Sequence, residues 1–270
     1  MTTNLKESMD KMEINKPISL EERKNVQFEM LKEIDSFCRS NGIRYSLAFG
    51  TLLGAIRHRG FIPWDDDVDI MMPLSDMKRF KSLFHSETMK YYDVDNDPDF
   101  QYAFSRIANT KTFCKIGFLF TGYGICIDLY PIIPIPREPK KQVSFWEKAV
   151  NLEKRYVSFV KWNNRAIRYL PVKRLPGFSK TMKEYRDFLF GFGNESNNSY
   201  YIIAGPMNLR NKMTYDFDLF EDLIDVEFEG QMFRAVSCYD KYLTMRYDNY
   251  MQLPPEDQRQ PYHGGNYFWK

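Results

Sequence analysis

The chain has 270 residues, 43% apolar and 16% aromatic, with 27% charged side chains and a net charge of +2. This is enough apolar material for a large core with an ordinary soluble surface, so one elaborated α+β domain is expected. The first twenty-five residues mix Lys6, Glu7, Asp10, Lys11 and Glu13, which excludes a signal-peptide core; the longest apolar stretch, Ile116 to Ile127, contains Thr121 and three glycines and falls short of the ~20 residues of a spanning helix.

A flexible lead-in is expected over residues 1–18 and a single domain over 19–270. Ser19-Leu-Glu-Glu22 reads as a capping box. Val26, Met30, Ile34 and Phe37 then recur at helical spacing until Asn41-Gly42. A strand is predicted over Ile43–Ala48, a short helix over Leu52–His58 ended by Arg59-Gly60, an acidic strand after Trp64, and a helix over Asp76–Phe84. Further strands are predicted at Tyr102–Ala108 and Gly124–Leu129. Four prolines between 131 and 139 read as a boundary, because proline interrupts ladders and helix interiors. A helical basic insertion follows at about 137–190. From Arg137 to Arg186 there are fourteen Lys/Arg against four Asp/Glu, leaving the rest of the chain at about minus eight. Gly191–Asn198 reads as a loop, Leu223–Val236 as a hairpin around Glu229-Gly230, and Tyr239 to Met251 as a helix. The four cysteines, 38, 114, 126 and 238, form no CxxC pair and are expected as reduced thiols in a cytoplasmic protein.

The chemistry concentrates in Trp64-Asp-Asp-Asp-Val-Asp-Ile70, where four carboxylates fall within five positions. In an extended backbone Asp65, Asp67 and Asp69 project to one side and Asp66 and Val68 to the other. Converging hard oxygens suit Mg²⁺ or Mn²⁺ and hence phosphate chemistry. A solvated acidic loop is the bland alternative, but apolar sequence flanks the run on both sides. A calcium loop is excluded by Ile70 and Asp76 at its sixth and twelfth positions, where Gly and Glu belong. Gly50-Thr51, at a strand-to-helix turn, offers close backbone approach to a phosphate. Asp128, a lone charge in an apolar strand, is expected to join Asp67 and Asp69 as a third carboxylate.

The string from Leu47 to Ile70, Leu-Ala-Phe-Gly-Thr-Leu-Leu-Gly-Ala-Ile-Arg-His-Arg-Gly-Phe-Ile-Pro-Trp-Asp-Asp-Asp-Val-Asp-Ile, resembles the signature of the LicD family of phosphocholine transferases, relatives of the fukutin-type proteins. Tyr239-Asp-Lys-Tyr-Leu, Tyr250-Met-Gln-Leu-Pro-Pro255, Arg259 and His263 resemble its C-terminal signature. The resemblance implies a nucleotidyltransferase-like mixed sheet flanked by helices. It also implies metal-dependent transfer of phosphocholine, or a similar phospho-alcohol, from a CDP-alcohol donor such as CDP-choline. The acceptor would be a sugar hydroxyl of a free or lipid-linked cell-surface glycan, such as teichoic acid, lipopolysaccharide or capsule, and CMP would be released. Asp65, Asp67, Asp69 and Asp128 would hold Mg²⁺ or Mn²⁺, with Asp67, Asp69 and Asp128 catalytic; Asp128 would complete the metal site or take the acceptor proton. Gly50, Thr51, Arg57, His58, Arg59, Trp64, Arg259 and His263 would bind substrate. Two departures, Ile132 after Pro131 where relatives carry an acid and Pro261-Tyr262-His263 in place of a histidine pair, bear on the head group and leave the central carboxylates intact.

Other classes fit less well. A sugar-nucleotide glycosyltransferase would place a longer nucleotide-binding unit before its Asp-x-Asp, a polymerase-like nucleotidyltransferase acting on a triphosphate would be expected to carry an RNA-binding signature, and a non-catalytic glycan-assembly scaffold has no reason to keep four clustered acids. No nucleic-acid partner is therefore expected. The basic segment allows peripheral contact with anionic lipid on the inner face of the cell membrane, or else forms a solvated face over an aromatic stripe.

Overall fold

The computed structural model describes residues 16–116, 120–166, 177–192, 199–202, 214–216, 218–260 and 266–270. Helix α1 (Leu20–Ser40) starts at the expected capping box: the Glu22 N–H donates to Ser19 Oγ at 3.1 Å and the Ser19 N–H to Glu22 Oε2 at 2.9 Å. It ends where Asn41 Nδ2 reaches the Phe37 carbonyl and Gly42 takes a φ of 59°. Met30, Leu31, Ile34 and Cys38 are buried on one stripe against the sheet. Residues 16–18, the end of the expected lead-in, lie along the C-terminal strand β12 (Tyr267–Trp269): the Ile18 N–H donates to the Tyr267 carbonyl at 2.9 Å. Residues 1–15 are outside the described set.

The main sheet runs β1 (Ser46–Leu47), β2 (Asp69–Pro73), β7 (Cys126–Ile135), β4 (Ser105–Asn109), β3 (Met89–Tyr92). Strand β8 (Ser199–Ile202) pairs with the later half of β7, and β9 (Thr214–Tyr215) with β8. Among the described pairs only β2 with β7 is parallel, so the class is mixed α+β. The chain reaches β7 from β2 through helix α3 (Leu74–Leu83), then β3 and β4, and β5 (Thr112–Ile116) with β6 (Phe120–Gly122), which form a small second sheet with β12. Ile70, Met71, Ile127, Leu129 and Ile133 are fully buried, as expected of central strands covered on both faces.

The proline boundary requires correction. Strand β7 continues through Pro131 and Pro134 to Ile135. The Asp128 N–H points toward β2, where it meets the Val68 carbonyl at 3.0 Å. By alternation Pro131 faces the opposite edge, in the gap between β4, whose pairing ends at Leu129, and β8, whose pairing begins at Ile132. Pro134 faces the β2 edge beyond the last β2 pair, Pro73 with Ile132. Neither ring nitrogen therefore removes a ladder bond. Pro139 opens helix α4 (Pro139–Ala166), a position where its missing N–H costs nothing.

Other expected elements shift at their ends. The first strand is only Ser46–Leu47, helix α2 begins at Phe49 and runs to His58, and α3 begins directly after Pro73. The hairpin β10 (Leu223–Phe228) with β11 (Gln231–Val236) turns on Glu229 and Gly230, both left-handed with φ of 51° and 73°. Helix α6 stops at Tyr247, short of Met251. Helices α4 and α5 (Phe178–Phe190) pack through stacked pairs, Tyr156 with Tyr185 at 5.7 Å and Phe145 with Phe188 at 5.5 Å. Arg186 ties α5 to the sheet side through a bidentate pair with Asp95 at 2.6 and 2.7 Å. Most of the expected loop over 191–198 is outside the described residues. No helix among the described residues is long and apolar enough to cross a membrane.

Candidate active site

Parallel pairing of β2 with β7 sets Asp69 beside Asp128, and antiparallel pairing of β7 with β4 sets Arg106 on the other side of Asp128. Directly paired residues share a sheet face. Arg106 grips Asp128 through two hydrogen bonds, Nε to Oδ1 at 2.6 Å and Nη2 to Oδ2 at 2.9 Å. Its guanidinium lies 4.0 Å from the Tyr102 ring centre. Burial works against the charge of Arg106, but Asp128 outweighs it and holds the guanidinium protonated.

The acidic run enters this row from the β2 side. Residues 65–68 are irregular rather than strand, yet burial alternates as expected: Asp65 and Asp67 are half-buried, whereas Asp66 and Val68 are buried. Asp66 points away, onto Arg23 of α1, at 3.0 Å with both side chains buried. One oxygen each of Asp65, Asp66 and Asp67 falls within 4.8 Å of the others. Because Asp66 is already paired beneath the loop, Asp65 and Asp67 are the members of that trio turned to the site. Helix α1 also braces the approach to the run, where Lys24 Nζ donates to the Ile62 and Pro63 carbonyls at 3.2 and 3.0 Å, and it holds the start of β7, where Gln27 Nε2 donates to the Cys126 carbonyl at 3.2 Å.

The turn between β1 and α2 fixes the other flank. Thr51 Oγ1 accepts the Asp69 N–H at 2.9 Å, and the Ala48 N–H donates to the Asp69 carbonyl at 2.9 Å. Phe49 is held at a φ of 44°, unusual for a bulky side chain, with its N–H directed at the Tyr242 hydroxyl at 3.3 Å. Gly50 is needed for space, since a Cβ there would lie 2.4 Å from Asp65 Oδ2.

Burial and mutual repulsion set the electrostatics of the cluster. Burial, followed by Asp67, pushes the Asp65 carboxyl up to about 7. Burial, then Asp67, Asp128 and Asp65, raises Asp69 well above the carboxylate range. Asp69 Oδ1 is buried without a hydrogen-bond partner. An orphaned buried oxygen among mutually repelling carboxylates fits a hard divalent ion. Two tyrosines border the cluster. Burial and then Asp69 raise the Tyr130 phenol, and burial pushes Tyr247 up to about 12 against the opposing pull of Arg246, with Asp69 and Asp65 adding to the rise. Arg246 lies 4.6 Å from the Phe49 ring centre, beside the Gly50 turn.

The remaining candidates lie around this centre. Arg57 donates Nη1 to the Tyr250 and Gln252 carbonyls at 2.7 and 3.3 Å, so it anchors the C-terminal segment. Arg59 is 79% exposed and faces Glu227 at 3.8 Å. His58 meets the edge of Trp64 at 6.3 Å, and the Arg259 guanidinium stands 5.5 Å from the Trp64 ring centre. His263 lies outside the described residues. Arg23, Arg106 and Arg246 were missed from sequence. Arg106 was open to the reasoning that singled out Asp128, because it too is a lone charge in an apolar strand.

Comparison with known proteins places the chain in a family. The family described as LicD/FKTN/FKRP, nucleotidyltransferase domain, matches residues 42–176, half of the chain. Lipopolysaccharide cholinephosphotransferase LicD of Haemophilus influenzae is 29% identical over 262 residues, covering 92% of this chain and 97% of that protein. Human ribitol 5-phosphate transferase FKRP is 44% identical over 52 residues, 19% of this chain and 10% of its own length. An uncharacterised protein of Rickettsia typhi is 39% identical over 56 residues, 21% of this chain and 18% of its own. With its family match spanning Asp65, Asp67, Asp69 and Asp128, the chain belongs to the LicD family, related to the fukutin-type proteins.

Proposed function

We propose that the protein is a phosphotransferase that moves phosphocholine, or a similar phospho-alcohol, from a CDP-activated donor to a sugar hydroxyl of a cell-surface glycan, releasing CMP. The observation that carries this reading is Asp69 beside Asp128 where β2 and β7 run parallel, with Asp69 Oδ1 buried and unpartnered and with Asp67 and Asp65 near enough to add to the rise of its carboxyl. A phospho-alcohol as the transferred group is supported by the relatives' names, which specify cholinephosphate and ribitol 5-phosphate transfer.

Asp65, Asp67 and Asp69, with Asp128, would hold Mg²⁺ or Mn²⁺. When bound, the ion neutralises charge on the donor diphosphate and on the departing CMP. Arg106 donates to both Asp128 oxygens and the Cys126 thiol lies 3.8 Å from Oδ1, so the carboxylate is held in place by groups that already use part of its accepting capacity, which favours Asp128 as a ligand over a proton acceptor. Thr51 and Ala48 immobilise Asp69 by both of its backbone groups. Arg246, on the Phe49 ring, is suited to a donor phosphate oxygen. The acceptor hydroxyl attacks the β-phosphorus, a new phosphoester forms, the bond to CMP breaks, and the hydroxyl proton passes to solvent or to a site carboxylate. The core would be of the nucleotidyltransferase type, with α4 and α5 as its helical insertion. Four free cysteines support work on the cytoplasmic side, where CDP-alcohols are available.

Chromatography of a reaction containing CDP-choline, Mg²⁺ and a glycan acceptor tests the reading. CMP together with a phosphocholine-bearing glycan is expected. Release of CDP would instead mean sugar transfer, and pyrophosphate from a triphosphate would mean nucleotidyl transfer.

A further inference from the structure

The outward face of α4 plays no part in the site. All seven of its lysines and arginines are exposed against a single exposed acid, Glu147, because Glu153 is buried. Phe145, Ala149, Leu152 and Tyr156 turn inward, so the helix is held from one side and presents the other to its surroundings. Lys141, Lys148, Arg155 and Trp162 recur every seven residues and lie along one line about 30 Å long. Two of these cations meet acids, Lys141 with Glu138 at 3.1 Å and Arg155 with Glu184 at 3.3 Å, in exposed pairs that contribute little and open readily.

A solvated helix explains the charges but not Trp162. This indole is 71% exposed, with Arg155, Lys161 and Arg165 on the same side of the helix. Tryptophan among lysines and arginines is the composition of a membrane-interface anchor, in which the ring enters the headgroup layer while the cations meet lipid phosphates. The asymmetry of the whole chain acts in the same sense. With an excess of ten positive charges over residues 137–186 and a net negative remainder, an anionic surface attracts this face and repels the rest.

We propose that the exposed face of α4 docks the protein onto an anionic lipid bilayer, with Trp162 as the inserted residue. The surface stands independently of the reaction assigned to the carboxylate site.

The test is co-sedimentation of the full chain with vesicles of 30% phosphatidylglycerol in phosphatidylcholine, compared with phosphatidylcholine alone. Binding is expected to the anionic vesicles only, and to fall at least about tenfold between 50 mM and 500 mM NaCl, since the attraction is screened within a Debye length of ~4–14 Å over that range. Trp162→Ala is expected to weaken partitioning about tenfold. Lys154→Glu with Lys161→Glu is expected to abolish it, both variants keeping the wild-type melting temperature because the three side chains are exposed. Equal pelleting with neutral and anionic vesicles, salt-insensitive binding, or wild-type binding by the double variant would overturn the proposal. So would tight binding of a 20-nucleotide RNA with no binding to vesicles, which would make the face a nucleic-acid surface.

Discussion

Asp69 and Asp128 stand side by side on the one parallel pair among the described strands, and only Asp128 has a cation of its own, Arg106. The buried Asp69 is left facing like charge, so each substitution in the cluster has opposite consequences for the empty and the metal-loaded protein. Asp67→Asn and Asp69→Asn should each abolish CMP release at saturating Mg²⁺ while leaving the melting temperature of the metal-free protein unchanged or higher, because one repelling charge is gone. Calorimetry with and without Mg²⁺ reads both effects. Near wild-type turnover by either variant would remove the metal assignment.

The same repulsion sets a pH dependence. Asp65, raised to about 7 by burial and Asp67, and Asp69, raised well above the carboxylate range by burial and its acidic neighbours, keep protons in the folded chain that the unfolded chain has already released. Through these groups the metal-free fold is most stable at low pH and loses stability as the pH rises toward 7. The melting temperature without metal should therefore fall between pH 5 and pH 8 more steeply in the wild type than in Asp65→Asn. Saturating Mg²⁺ should flatten the wild-type slope, because metal binding expels the protons. Parallel slopes for the two proteins without metal would contradict the proposed coupling.

How much of this was legible follows from the range of each interaction. The alternation of Asp65 and Asp67 against Asp66 needs only backbone periodicity, and the capping box at Ser19 and the turn at Glu229-Gly230 are equally local. The side-by-side placement of Asp69 and Asp128 depends on a parallel pairing across fifty-nine positions, which no local pattern encodes. Arg23 and Arg106 escaped for the same reason: each is defined by a partner on a different element. Pro131 and Pro134 misled because proline's effect on a ladder depends on which edge its nitrogen faces, and that edge is fixed by the neighbouring strands. Arg57 reads as a phosphate ligand from its position after the Gly50 turn, and its Nη1 bonds to the Tyr250 and Gln252 carbonyls, contacts some 193 and 195 positions away, could not be read from local sequence.

The Arg23–Asp66 pair beneath the acidic loop is buried on both sides, so breaking it strands a charge. Arg23→Met alone should cost about 3–5 kcal/mol in denaturant unfolding, whereas Arg23→Met with Asp66→Leu should recover most of that loss. The double variant should still be a weaker enzyme, since Asp65 and Asp67 would lose the anchor between them. Single and double variants of equal stability would mean that the pair does not act as a unit.

Gly50→Ala separates fold from function most cleanly. Gly50 lies in the first turn of α2 without a left-handed backbone, so alanine is sterically allowed by the helix and is the better helix former by ~1 kcal/mol. Its Cβ, however, would fall 2.4 Å from Asp65 Oδ2, so the end of that side chain must shift. The expected result is a melting temperature equal to or above the wild type, together with an Mg²⁺ half-saturation raised at least about tenfold and a matching loss of CMP release at limiting metal. Part of that loss should be recovered at high Mg²⁺, because Asp67, Asp69 and Asp128 are untouched. An Mg²⁺ titration that superimposes on the wild type would show that Asp65 does not contribute to the metal site, and that Gly50 is small for another reason.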